Sequence, residues 1–213
     1  VTLSPPSSHT VTTADISSGA AVDGTVLTAD GAGGSAFEAA SGGLVVLSDQ
    51  TLVLGAAVID TGAGGIAQTA TNLVVRMLLR TNQAAEFSTV LIRLNNSSAA
   101  IYDESLIQNI NATVTGTPLV GQTSWFITTT SANSLASVFT AVYLDLPFYT
   151  ATTAFKAADF MWGAGGDDAA ETFLGFAGGD FRSTAAITRM AVLPQAGGVE
   201  FLAGSRLQVL GSI

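Results

Sequence analysis

An all-β sandwich preceded by an extended N-terminal arm is the fold this sequence predicts, and three observations predict it. From Leu44 onward, short apolar segments are punctuated by Gly, Asn, Asp and Ser at the spacing of an antiparallel sandwich or barrel. Several of those segments alternate with period two, which places one set of side chains on one face of a strand. No stretch carries a long helical period.

The arm covers residues 1–42. Pro5-Pro6 and the Ser/Thr-rich start disfavour helix, and Asp23-Gly24, Asp30-Gly31 and Gly33-Gly34 are turn formers because glycine tolerates positive φ. Between those turns, Thr25-Val26-Leu27-Thr28 reads as one short strand. The sandwich follows over residues 43–213. Leu73, Val75, Met77 and Leu79 alternate with Arg76 and Arg80, and Val90, Ile92 and Leu94 alternate with Leu91 and Arg93, as half-buried strands do. Over Val138 to Leu146 both parities are apolar: Val138, Val142, Leu144 and Leu146 fall on one face, Phe139, Ala141 and Tyr143 on the other. Such a strand lies in the middle of a sandwich or gives one face to a subunit interface. Any helix is a turn or two, around Ala169 to Phe173. In the closing segment Val199, Phe201, Leu207 and Val209 share one parity, which predicts a strand running through Ala203-Gly204-Ser205, with the glycine permitting a bulge or a close approach.

Composition narrows the class. A chain of 213 residues can bury about 70% of its unfolded surface, so a proper core is available. Only 11% of residues are charged and 48% are hydrophobic, which excludes intrinsic disorder and predicts an oligomer whose surface is partly covered by partners. Net charge is −9, and all seven basic residues lie at or beyond Arg76, so the basic footprint of a nucleic-acid binder is missing. Cysteine is absent, which removes disulfides and thiolate chemistry together. Val1 to Ser8 has neither a basic nor an apolar leader region, and no aliphatic run is long enough to span a bilayer, so a soluble chain without membrane insertion or a secretory route is expected.

Few residues offer chemistry. The single histidine, His9, sits in the arm, where a rigid catalytic triad or a metal site is not expected. Carboxylates that could form a glycosidase pair are Asp103-Glu104, in an expected turn, Asp167-Asp168 with Glu171, and Asp180. Most such carboxylates are simply solvated. Sugars also stack on exposed rings, and Tyr102, Trp125, Tyr149 and Trp162 are the available platforms, Tyr102 and Trp162 being the candidates for binding a glycan. Packing of the indoles at a core edge or an interface is the plainer reading. The glycine stretches lack the Gly-Lys-Ser/Thr of a phosphate cradle, and no cofactor is expected.

Two segments carry a resemblance. In order along the chain stand Arg93-Leu94-Asn95, Tyr102, Val142-Tyr143, Lys156, Ala186-Ile187-Thr188 and the run from Phe201 to Gly211 with Gly204-Ser205 inside it. This succession over residues 87–213 resembles the closing domain of many small structural proteins of tailed bacteriophages, although Val209-Leu210-Gly211 stands where that pattern ends in Leu-Tyr-Gly. The segment from Asp23 to Glu38 resembles a glycine-rich element of phage fibre and appendage proteins. The resemblance implies a jelly-roll-like antiparallel β-sandwich, a homotrimer, and a place on the virion surface after assembly in the host cytoplasm. It further implies a non-enzymatic capsid decoration protein or short head fibre, docked to the major capsid protein or to tail proteins through Val26, Leu27, Asp30, Gly31, Gly33, Gly34 and Phe37. A tail-tip protein that binds a host glycan is the second expectation, and a glycan hydrolase the third.

Overall fold

The computed structural model describes residues 25–29, 35–39, 43–165 and 172–212. The chain divides into two units, Val1–Gly43 and Leu44–Ile213. In the first, β1 (Thr25–Ala29) pairs antiparallel with β2 (Ser35–Ala39), Leu27 opposite Phe37. The expected short strand at Thr25 is therefore one half of a hairpin. Its second half went unread because Ser35 to Ala39 shows little alternation.

The second unit is an all-β antiparallel sandwich, and no helix occurs among the described residues. Its strands are β3 (Leu44–Thr51), β4 (Ile59–Asp60), β5 (Asn72–Leu79), β6 (Phe87–Leu94), β7 (Tyr102–Ile110) and β8 (Thr113–Gln122), then β9 (Trp125–Thr130), β10 (Thr140–Pro147), β11 (Lys156–Ala164), β12 (Phe173–Phe181), β13 (Met190–Pro194) and β14 (Arg206–Ser212). They form one eight-stranded sheet, in the order β3-β14-β5-β10-β11-β12-β7-β8, and one four-stranded sheet, in the order β4-β13-β6-β9. From β3 to β7 the chain changes layer at every connection, as a jelly roll does.

Period two fixes which side chains meet between the layers. β5 buries Leu73, Val75, Met77 and Leu79, and β6 buries Val90, Ile92 and Leu94, the parity expected from the sequence. β12 alternates without a break, its odd-numbered residues inward and its even-numbered residues outward. At the centre, Trp125 of β9 meets Tyr102 of β7 edge to face at 5.5 Å and Phe160 of β11 at 4.9 Å. The two indoles fit only because glycines lie beneath them. A Cβ on Gly175 would stand 2.2 Å from Trp162, and one on Gly179 would stand 2.7 Å from Trp125.

The free edge of the small sheet is closed from the opposite layer. β9 is its last strand, and its outward amide at Phe126 donates to Oε2 of Glu104, 2.8 Å away on β7. Thr128 Oγ1 donates to Gln108 Oε1 of the same strand at 3.0 Å. An inward-pointing charge is one of the devices that keep an edge strand from pairing with another chain. The cost falls on Glu104, which is buried and whose Oε1 finds no partner among the described residues. Burial raises its carboxyl to about 7, opposed by the Phe126 amide.

Two further polar groups anchor loops. The Tyr102 hydroxyl accepts from Leu94 N at 2.9 Å and lies 3.2 Å from the carbonyls of Leu94 and Ser97, tying the turn at Asn95-Asn96 to the core. Tyr102→Phe is expected to cost about 1 to 2 kcal/mol in urea denaturation, because the buried Leu94 amide loses its acceptor. Lys156 is also buried, its ammonium donating to the carbonyl of Ala154 at 2.9 Å and facing those of Thr184 and Ser183 at 3.3 and 3.5 Å.

Three expectations are corrected here. The closing strand is not continuous: Ala203-Gly204 forms a turn with Gly204 at φ +89°, and β14 starts at Arg206. Phe201 instead bridges to Ala56 and Thr81, and the bulge falls at Val209/Leu210 against β3. Asp103-Glu104 lies within β7 and not in a turn. Phe173 opens a strand, while residues 169–171 of the expected helix lie outside the described residues.

Candidate functional site

A protein surface that alternates polar residues with its core residues needs no partner. The outer face of the eight-stranded sheet departs from that rule in its middle. β10 turns Ala141 and Tyr143 outward, β11 Met161 and Gly163, and β12 Leu174 and Phe176. The registers set these side by side. One row across the sheet reads Arg76, Tyr143, Met161, Phe176, Ile107, and the next reads Leu78, Ala141, Gly163, Leu174. The large apolar members of the two rows are between 38% and 59% exposed, so they form one contiguous band and not scattered single residues.

Side-chain size shapes the band. Ala141 and Gly163 stand next to each other between Leu78 and Leu174, with Tyr143 and Met161 along one side, so the short residues floor a concavity of about 550 Å³. Charges border it. The third row reads Val74, Asp145, Asp159, Gly178. Arg206 lies beside Leu78 but is satisfied within the chain, its Nε 2.7 Å from Oδ1 of Asp49, and that guanidinium holds the Asp49 carboxyl below its usual value. Arg76, Asp145 and Asp159 have no ion-pair partner among the described residues.

The segment over Val138 to Leu146 thus has one face in the core and one face open: Val142, Leu144 and Leu146 are buried while Tyr143 is 38% exposed. Leu78, Met161, Leu174 and Phe176 escaped the sequence reading. Their signal is the one present at Tyr143, apolar residues on both parities, hidden in β11 and β12 by the glycines at 163, 175, 178 and 179.

The glycan platforms are corrected. Tyr102, Trp125, Tyr149 and Trp162 are at most 1% exposed, and a ring inside the core has no face to offer a sugar. Trp162 lies within β11 and points inward over Gly175.

Among the carboxylates, Asp103 and Glu104 occupy opposite faces of β7 because they are neighbours in a strand. Asp180 does lie opposite Asp103 across the β7–β12 ladder, but Asp103 is already held by Arg182 at 3.1 Å and by the amide of Gly121 at 2.7 Å. Asp167, Asp168 and Glu171 lie outside the described residues. So do Asp30, Gly31, Gly33 and Gly34 of the expected docking segment, whereas Val26 and Leu27 belong to β1 and Phe37 to β2. Among the described residues, no three His, Asp or Glu side chains are grouped to hold a metal ion, and no helix is long and apolar enough to cross a membrane. No protein-family model, no curated protein and no solved structure matches the chain.

Proposed function

We propose that the chain is a non-enzymatic structural protein of a tailed-bacteriophage particle, displayed on the particle surface as a capsid decoration protein or short head fibre. Residues 1–42 join it to the particle, and the sandwich associates with copies of itself. The observation that carries this reading is the band Leu78, Tyr143, Met161, Leu174, Phe176, Ile107. A sandwich that already has a full core does not need this second apolar face, and its composition of aromatic, Met and Leu side chains with an arginine at the border is that of an interface. The order of sequence elements over residues 87–213 supports the particle as the place of assembly. The glycan-binding reading loses its support with the burial of Tyr102 and Trp162.

Immunogold labelling of intact particles with antibody against residues 43–213 tests the reading. Label over the head is expected. Label confined to the tail tip, or absence of the protein from purified particles, overturns it. Deleting residues 1–42 is expected to leave a folded, self-associating sandwich that no longer joins particles, read by thermal melting and by co-sedimentation with particles.

A further inference from the structure

We infer that the outer face of the eight-stranded sheet is covered by the same face of a second copy of this chain, across a two-fold axis that sets Arg76 of each copy against Asp159 of the other. The inference rests on the reading of the chain as a self-associating structural protein and names the contact. Size comes first. Eight strands about 4.8 Å apart and seven to ten residues long span roughly 34 Å by 27 Å. That is on the order of 900 Å², against about 800 Å² per partner in a standard stable interface.

Charge selects a second copy as the occupant. The face carries both signs in unpaired form, Arg76 on one side of the band and the neighbours Asp145 and Asp159 on the other. In the sheet, Asp159 lies two strands from Arg76 and one row along. A two-fold axis in the plane between two facing sheets, passing midway between these residues, exchanges them, so both charges are paired twice by one operation. The same axis carries Phe176 of one copy onto Ala141 of the other. Ala141 lies two strands from Phe176 and one row along, by the same step that separates Arg76 from Asp159. The protruding ring thereby meets the floor of the concavity left by Ala141 and Gly163. Tyr143 and Met161 flank the axis and pack on each other. The pairing of the charges and the seating of the ring are independent features of the sequence, and one symmetry operation satisfies both.

Sedimentation equilibrium of the full chain at micromolar concentration provides the test. The expected mass is that of two chains, each of 21.5 kDa. Arg76→Asp and Asp159→Arg are each expected to weaken the pair by at least about tenfold, and their combination to restore it, because the reversed charges meet again. Phe176→Ala weakens it without touching a charge. Circular dichroism of each variant confirms the fold, which surface substitutions leave intact. A monomeric wild type, a mass of three chains, or a double reversal that fails to recover association overturns the inference. Any of these leaves the labelling of particles free to succeed or fail by itself.

Discussion

Glu104→Gln is expected to raise the stability of the protein at pH 8 by up to about 3 kcal/mol. The wild type places a carboxyl between two sheets, where burial raises it from 4.5 to about 7. A raised carboxyl means that the folded protein holds this proton more tightly than the unfolded chain does. Stability from this group is therefore complete below pH 4.5, falls as pH rises toward 7, and stays low above it. Every pH unit that separates the folded and unfolded titrations corresponds to about 1.4 kcal/mol, which sets the size of the loss. Glutamine keeps an oxygen for the Phe126 amide and has no charge to desolvate, while its amide nitrogen takes the unpartnered Oε1 position, so that about 3 kcal/mol is the ceiling of the gain. Urea denaturation from pH 4 to pH 9 should show the wild type losing stability through that window and the variant nearly level. A wild-type curve that is flat between pH 4.5 and 7 would show that water reaches Glu104 in the folded state.

Gly175→Ala is expected to cost about 3 kcal/mol or more and to lower the melting temperature by roughly 6 to 12 °C. The new Cβ would lie 2.2 Å from the indole of Trp162, which is 1% exposed. Gly165→Ala is the control, since among the described residues nothing stands within 4 Å of its Cβ position. Replacing Trp162 by Leu in the Gly175→Ala background should recover part of the loss, because the clash is with the indole itself. Additive losses would mean that the strain lies in the β12 backbone and not in the ring contact.

The fold class was legible because period-two alternation is a local signal, carried by Leu73, Val75, Met77 and Leu79 in β5 and by Val90, Ile92 and Leu94 in β6. Strand β12 carries it too, but glycines occupy its inward positions at 175 and 179, so the apolar count that marks a strand drops where the partner indoles supply the bulk. The site was legible only at Tyr143. Whether an apolar second face is covered by the other layer or left open depends on which sheet a strand joins, and that is decided by pairing between residues far apart in the chain. The same non-local pairing explains the tryptophans. An indole in a strand reads alike in either orientation until the glycine opposite it is known. Glu104 was noticed as one of two adjacent carboxylates, yet its role follows from being inward, opposite the free edge of β9.

Lys156 has a practical consequence. It is the single lysine in the sequence, and it is 1% exposed with its ammonium turned toward backbone carbonyls. Reagents that acylate side-chain amines will find no target in the native sandwich. Once β11 separates from the segment at residues 183–184, that amine is released. Amine labelling followed by mass spectrometry therefore reports opening of this corner at one residue, and gives a direct clock for how often the sandwich comes apart.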